Sequence, residues 1–368
     1  MPTGLRADRA RVYEHLRTAH LERAHQLPPA AIVYGSTRYD FDAALAEGLE
    51  LRQAGRFAAV RLLSGSRLVA IEVNEPLMLS SLPTTALLVF VNRLRHPRYS
   101  RRAAIVTYAI ENLDPFTHPV GPRLRSRVKR RAYRMLARYV LPRVDRIAFG
   151  SPAAQQLYAR AAGFARAATA QTMILALPAA SSAAFAHAKN PLSVVFLGSL
   201  SERKGFPLLM AAWPLVRGQL SAATITVLGK GPLEAEAVAW AATDPSVHLL
   251  LDPPRDVIAS RLRDSRMLVL PSQQSPTWRE QIGLPIVEAL AEGCLIATTE
   301  QTALAEWLRE HGHAVVAVTA DAATVATAII RQLQSTTSPE QVLESLPQVD
   351  GRLAADSWLF DGAGAARD

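Results

Sequence analysis

Leu270–Thr299 reads LPSQQSPTWREQIGLPIVEALAEGCLIATT. After Gly283, the apolar residues Leu284, Ile286, Val287, Ala289 and Leu290 fall at helical spacing. Gly293 is a stop signal, and CLIATT (294–299) beyond it has the β-branched content of a buried strand. Two carboxylates bracket the helix start, Glu280 in the loop before it and Glu288 on its first turns. Loop, helix and strand in that order form the repeating unit of a parallel α/β sheet.

Working outward, the second half repeats the unit. PLSVVFLGSL (191–200) predicts a strand ending at Gly198, followed by a turn carrying Arg203 and Lys204 and a helix over 201–216. ATITVLGKGP (223–232) predicts a strand with Gly229 and Gly231 around Lys230; VHLLL (247–251) and RMLVLPS (266–272) predict two more, separated by a helix at 257–265. Helix is expected to about Gln334, then a loop and a tail containing Trp358. In the first half, ADRARVYEHLRTAHLERAH (7–25) predicts a charged helix, AAIVYGS (30–36) a strand with Gly35 near its end, and 42–54 a helix. FAAVRLL (57–63), LVAIEV (68–73), AAIVTYAI (103–110), RIAFGS (146–151) and TMILAL (172–177) predict strands, with helices at 77–94 and 152–162. The small-residue run AASSAAFAHAKN (179–190) reads as a linker. The expected fold class is therefore α/β, with two Rossmann-like doubly wound parallel sheets. They occupy 1–186 and 187–350, with a tail at 351–368 and ligands in a central cleft outside the carboxyl ends of both sets of strands.

With 368 residues, 49% hydrophobic and 20% charged, the composition is that of a soluble globular protein of two domains. The single cysteine, Cys294, excludes an internal disulfide and a cysteine metal cluster and points to a reducing compartment. No apolar run reaches the roughly 18 residues of a membrane span, and the charged start does not read as a signal peptide. Cytoplasmic placement is expected, with contact at the inner face of a membrane as its extension. The net charge of +9 is unevenly spread: residues 1–190 hold 28 Lys+Arg against 12 Asp+Glu, and residues 191–368 hold 13 against 20. The first half is thus drawn to an anion. Arg123–Arg146 carries ten basic residues and Asp145 alone as acid, with Val128, Tyr133, Leu136, Ala137 and Val140 on one helical face. That pattern fits a helix on an anionic membrane equally with an ordinary solvated helix. Nucleic acid is not expected as a partner, because no aromatic platform or recognition motif accompanies the charge. Asp40-Phe41-Asp42 has the look of a paired-aspartate metal motif but reads better as a helix cap with first-turn acids.

In the second half each strand delivers a candidate group at its carboxyl end. Gly198, Gly229 and Gly231 allow close backbone approach, Lys204 supplies a cation, and the helix after Gly283 offers its N-terminal amides to a diphosphate. Glu288 can hold a diol such as a ribose, and Glu280 the hydroxyls of a second sugar. Singly each is a surface charge or an ordinary turn; together they describe a grip on a nucleotide sugar.

On FLGSLSERKG, VLGKGP, LVLPS, Glu280-x7-Glu288 enclosing Gly283-Leu284, and EALAEG before an apolar strand, the run Val194–Thr299 resembles the nucleotide-binding domain of the retaining glycosyltransferases of the GT-B fold, family GT4, the glycosyl transferases group 1. The first half is similar more loosely, through RIAFGSPAAQQLY and TYAIENLDP. The resemblance implies a hexosyltransferase that uses a nucleoside diphosphate sugar as donor, with retention of configuration and neither metal nor cofactor. It assigns catalysis to Lys204 and Glu280. Donor binding falls to Gly198, Ser199, Arg203, Lys204, Gly229, Gly231, Leu251, Ser272, Glu280, Gly283, Leu284 and Glu288, with the base near Leu251–Pro253. Gly35, Glu111 and Asn112 would lie on the acceptor side, and the acceptor would be a lipid-linked or polysaccharide intermediate or a soluble natural product. Two departures stand out: Ser199 where the family frequently has arginine, and Ile110 where it has histidine. They leave a non-catalytic nucleotide-sugar binder as a rival, and a sugar-nucleotide epimerase, which shares the two-sheet architecture and a donor-type pocket, is another. A dehydrogenase is disfavoured, because no Gly-x-Gly-x-x-Gly follows a strand with an acid some twenty residues on.

Overall fold

The structure is a computed structural model. It describes residues 4–38, 41–95, 102–117, 124–161, 169–182, 188–275 and 278–365, with the backbone alone at 124–126 and 362–365. Asp40, Arg123 and the middle of the expected linker (183–187) lie outside the described residues.

The chain divides into two units, 1–175 together with 352–368, and 176–351. The first contains β1 (Arg9–Leu16), α1 (Thr18–Ala24), β2 (Ala31–Thr37), β3 (Leu51–Gln53), α2 (Arg56–Gly65), β4 (Ala70–Glu72), α3 (Leu82–Arg95), β5 (Ala104–Ala109), α4 (Leu124–Val140), β6 (Arg146–Phe149), α5 (Pro152–Arg160) and β7 (Ala170–Met173). Its sheet runs β3-β2-β1-β4-β5-β6-β7, every pair parallel. The second contains β8 (Asn190–Leu197), α6 (Phe206–Gln219), β9 (Thr224–Leu228), α7 (Glu234–Thr243), β10 (Val247–Leu250), α8 (Arg255–Asp264), β11 (Ser265–Leu270), α9 (Leu284–Ala291), β12 (Leu295–Thr299), α10 (Ala305–Glu310), β13 (Ala314–Val316), α11 (Ala322–Leu333) and α12 (Pro339–Glu344). Its sheet runs β10-β9-β8-β11-β12-β13, again all parallel. The chain then ends in α13 (Gly351–Ala365). The expected α/β class with two doubly wound sheets is what the chain adopts.

Three stretches of the first unit depart from expectation. Residues 7–25 split into β1 and α1, because β1 is a central strand paired on both sides, Ala10 with Ala31 and with Ile71. The stretch 42–54 forms only a 3-10 turn at Ala44–Ala46. Gly48 then takes φ +78°, and Leu51 pairs with Ile32 in β3. The supposed strand 57–63 is helix α2: Ala59, Val60 and Leu63 are buried on one side while Phe57 faces solvent. Alanine, leucine and arginine dominate that run, and they favour helix over strand. At Asp42 the carboxylate accepts the Ala44 N–H at 2.9 Å, as a turn cap would.

Helix α13, expected only as a tail, belongs to the first unit. Ala355, Leu359 and Phe360 pack with Ala70, Ala104, Val106 and Ala148 of the first sheet. Burying a large apolar side chain contributes about 1.5–3 kcal/mol. Beside it lies a buried ionic network. Arg11 donates to Asp356 at 2.7 and 3.2 Å and stands 3.6 Å from Glu72, which also pairs with Arg352. Arg11 is 1% exposed and Asp356 0%. An arginine inside a central strand is tolerable only because these carboxylates and the Pro28 carbonyl, 3.3 Å away, meet its donors.

Candidate functional site

In the second sheet, β8 lies between β9 and β11, so successive connections leave β8 in opposite directions. The crevice outside the carboxyl ends of β8 and β11 is the topological switch point where doubly wound sheets hold ligands. Gly198 follows β8, and a single 3-10 turn, Glu202–Lys204, carries Lys204 to this edge. Ser272 and the loop to Glu280 follow β11.

Here Lys204 and Glu280, each 8% exposed, form an ion pair, and the Ser272 hydroxyl donates to the same Glu280 oxygen at 3.0 Å. Burial pulls the Lys204 ammonium below the ordinary lysine value, and the Glu280 charge offsets part of that pull. The indole of Trp278 lies 4.8 Å from the Arg203 guanidinium and 5.3 Å from the Lys204 ammonium, within cation–π range of both. The loop is tied down by the Gln273 N–H on the Arg203 carbonyl at 2.8 Å, the Thr299 hydroxyl on the Ser272 carbonyl, and the Thr302 hydroxyl on the Ile282 carbonyl at 2.7 Å. Together these hold a buried cation and a buried acid in fixed register at a sheet edge.

Two glycines make the close approach possible. At Gly205 φ is +69° and a Cβ would fall 1.9 Å from the Pro271 carbonyl oxygen. At Gly229 φ is +148° and a Cβ would fall 1.9 Å from the Gly198 carbonyl oxygen. The turns after β8 and β9 therefore touch backbone to backbone. Gly229→Ala is expected to cost about 2–5 kcal/mol of stability, from strained backbone plus overpacking. Gly218→Ala is the control, since a Cβ there meets nothing within 4 Å. Urea denaturation of both variants checks this, and equal midpoints would overturn it.

The remaining donor-side residues are placed as follows. Gly283, at φ +85°, caps α9, with Leu284 48% exposed as its first residue. Glu288 lies on α9, where Arg255 of α8 pairs with it at 2.8 Å. Leu251 follows β10 and is 41% exposed, and Lys230 after β9 pairs with Asp252 at 2.5 Å. Ser199 lies against Gly231, whose added Cβ would meet its hydroxyl at 2.9 Å. Arg255 and Trp278 were not anticipated from sequence, though an aromatic two residues before Glu280 was in plain view.

Residues 191–335 match the model of a family described as glycosyl transferases group 1. The matched residues lie within the second unit. A further likeness is to the amylovoran biosynthesis glycosyltransferase AmsK of Erwinia amylovora. That match is 26% identical over 149 residues, 39% of this chain. The chain thus spans 37% of the length of that curated relative. Among solved structures, Anabaena Alr3699/HepE in complex with UDP-glucose is similar at a TM-score of 0.62, with 14% identity over 98% of each chain. WaaG, a glycosyltransferase involved in lipopolysaccharide biosynthesis, is similar at 0.55, with 15% identity over 98% of each chain. At such identities the likeness is one of fold, and the fold of the whole chain is GT-B.

In the first unit, Gly35 lies in β2, while Glu111 and Asn112 follow β5. Between β2 and β5 stand β1 and β4, so these residues share an edge of the sheet but are three strand spacings apart, about 14 Å. They do not form one cluster. Between them sits Glu75, which the sequence reading did not single out. The apolar stripe of α4 also turns out differently: Ala137 and Val140 are buried against the first unit's core and Tyr133 and Leu136 pack on it, while Val128 is 60% exposed.

Proposed function

We propose that the chain transfers a hexose from a nucleoside diphosphate sugar to a glycan, lipid-linked or natural-product acceptor, with retention at the anomeric carbon. The observation that carries this reading is the buried Lys204–Glu280–Ser272 cluster at the switch point of the second sheet. The UDP-glucose in the HepE complex and the polysaccharide role in the name of AmsK support it as properties of similar proteins. In the proposed reaction the bond from the anomeric carbon to the diphosphate oxygen breaks. The bond to the acceptor oxygen forms on the same face, and the acceptor proton passes to the departing phosphate. Lys204 and the N-terminus of α9 meet the charge that develops on the leaving group, at a fixed geometry that needs no reorganisation. Glu280 holds donor-sugar hydroxyls and keeps Lys204 charged. Glu288, oriented by Arg255, receives the ribose diol. No step in this reading calls for a metal. Incubation with a panel of nucleotide sugars and acceptors, read by mass spectrometry, tests it. Transfer of one sugar is expected, release of an isomerised donor would favour the epimerase, and donor binding without turnover would favour the non-catalytic binder.

The reading extends to an acceptor at a membrane surface. Among the described residues no helix is long and apolar enough to cross a membrane. Helix α4 exposes Arg127, Lys129, Arg131, Arg134 and Arg138 with Val128 and Met135, and the neighbouring α3 exposes Phe90 and Leu94. With the apolar stripe of α4 turned inward, attraction to anionic headgroups would be mainly electrostatic, on the order of 1 kcal/mol per basic residue. Sedimentation with phosphatidylglycerol vesicles is expected to carry the protein down at low salt and release it at high salt, with Arg131→Glu/Arg134→Glu/Arg138→Glu staying in solution. Absence of binding at low salt removes this extension.

A further inference from the structure

Glu75 stands just past β4, at the carboxyl edge of the first sheet, and is half-buried. Its two oxygens are both engaged. Oε1 accepts the Ile110 N–H at 2.8 Å, and Oε2 accepts the Glu111 N–H at 3.0 Å and the Tyr158 hydroxyl at 3.3 Å. Ile110 and Glu111 are the first residues beyond β5, and Tyr158 belongs to α5. One carboxylate therefore joins the ends of two neighbouring strands to a helix. The turn it holds continues through Glu111, whose own Oε1 accepts the N–H groups of Asn112 and Leu113 at 3.1 Å each. Ile110 is tightly seated, since a Cβ added at Gly150 would lie 2.6 Å from its Cγ2.

We infer that Glu75 is a positioning residue for the transfer proposed above: ionised, it fixes the 110–113 turn that carries Glu111 and Asn112, and protonation releases that turn. The inference rests on that reading for its link to transfer, while the clamp itself stands on the hydrogen bonds. Three donors need both oxygens as acceptors. A proton on either oxygen removes the charge that strengthens all three bonds and makes that oxygen a poorer acceptor, so the backbone N–H groups of the turn are held more weakly. Burial is the main reason this carboxyl is pushed up to about 8; the Ile110 and Glu111 amides and Tyr158 pull against that rise, and the Glu111 charge adds to it. Tyr158 is itself held well above its ordinary value, first by burial and then by the Glu75 charge, so it keeps its proton throughout.

Selective 15N labelling of isoleucine and glutamate tests the clamp without reference to activity. The Ile110 and Glu111 amide resonances are expected to titrate together with a midpoint near 8. Glu75→Gln should abolish that titration, and Tyr158→Phe, which removes a donor from the carboxylate, should move its midpoint upward. If the two amides do not titrate between about pH 6 and pH 10, or titrate unchanged in Glu75→Gln, the inference is overturned. Should Glu75→Gln not fold, Tyr158→Phe alone decides: an unmoved midpoint overturns it. With a working donor and acceptor, kcat/KM for the acceptor should rise through the same window in the wild type and lose that step in Glu75→Gln, with the donor KM unchanged. An unaltered profile in Glu75→Gln overturns the positioning role. Titrating amides with no transfer from any nucleotide sugar would instead leave the clamp standing and sink the proposed reaction.

Discussion

Lys204→Met is expected to lower kcat/KM for transfer by about 10²–10³-fold, the effect of removing one preorganised charge-stabilising group from a site. The substitution keeps the length of the side chain and deletes its charge. It also takes the ammonium away from Glu280, which is 8% exposed. Removing one partner of a buried ion pair costs about 3–5 kcal/mol, so the single variant should also be less stable. The two effects separate in the double variant Lys204→Met/Glu280→Gln. There the buried charge is gone, stability should return towards the wild-type value, and transfer should stay lost. Denaturant midpoints and steady-state kinetics on the three proteins check both halves. A Lys204→Met enzyme within tenfold of wild type would mean that the leaving diphosphate is met elsewhere.

The second large effect concerns no ligand. Asp356→Ala should destabilise the first unit by about 3–5 kcal/mol, because Arg11 loses the carboxylate that takes two of its N–H groups while remaining 1% exposed in a central strand. Glu72 cannot serve both arginines equally, since it already pairs with Arg352. Trp358, whose ring lies 4.0 Å from the Arg146 guanidinium, offers a fluorescence signal for the departure of α13. A guanidinium chloride midpoint unchanged in Asp356→Ala would show that the network is neutral to the fold. The network also has a pH signature. Burial would raise the Glu72 carboxyl, but Arg352 and Arg11 reverse this and hold it below the usual value. A lowered native pKa means that Glu72's contribution is fully present above the ordinary carboxylate range and is lost as pH falls below it. Asp356 runs the other way: burial raises it, and its contribution is lost as pH rises. Acid sensitivity should accordingly diminish in Glu72→Gln.

The two halves of the chain were unequally legible, for a physical reason. In the second unit β8, β9 and β11 are short runs of apolar and β-branched residues ended by a glycine or proline, and parallel strands buried on both faces read that way. The elements around Gly198, Gly229 and Gly283 could therefore be placed within a few residues. In the first unit β1 carries Arg9, Arg11 and Glu14, and nothing local announces that Asp356 and Glu72 will neutralise Arg11. Its charge made a strand look like a helix. Helix α2 erred the opposite way, because a seven-residue apolar run is too short for its period to be certain. At the site, Lys204, Glu280 and Ser272 were all candidates before any geometry was known, while their direct contact was not. Arg255 and Glu75 escaped notice because what distinguishes them is a neighbour distant in sequence.

The return of α13 to the first sheet has a consequence for how the polypeptide is made. A ribosome delivers residues 1–175 long before residues 352–361, and the 176 residues between them form a unit that can close on its own. During that interval Arg11 is present without Asp356, and the face made by Ala70, Ala104, Val106 and Ala148 is uncovered. The half of the chain that is synthesised first is therefore the half that finishes folding last.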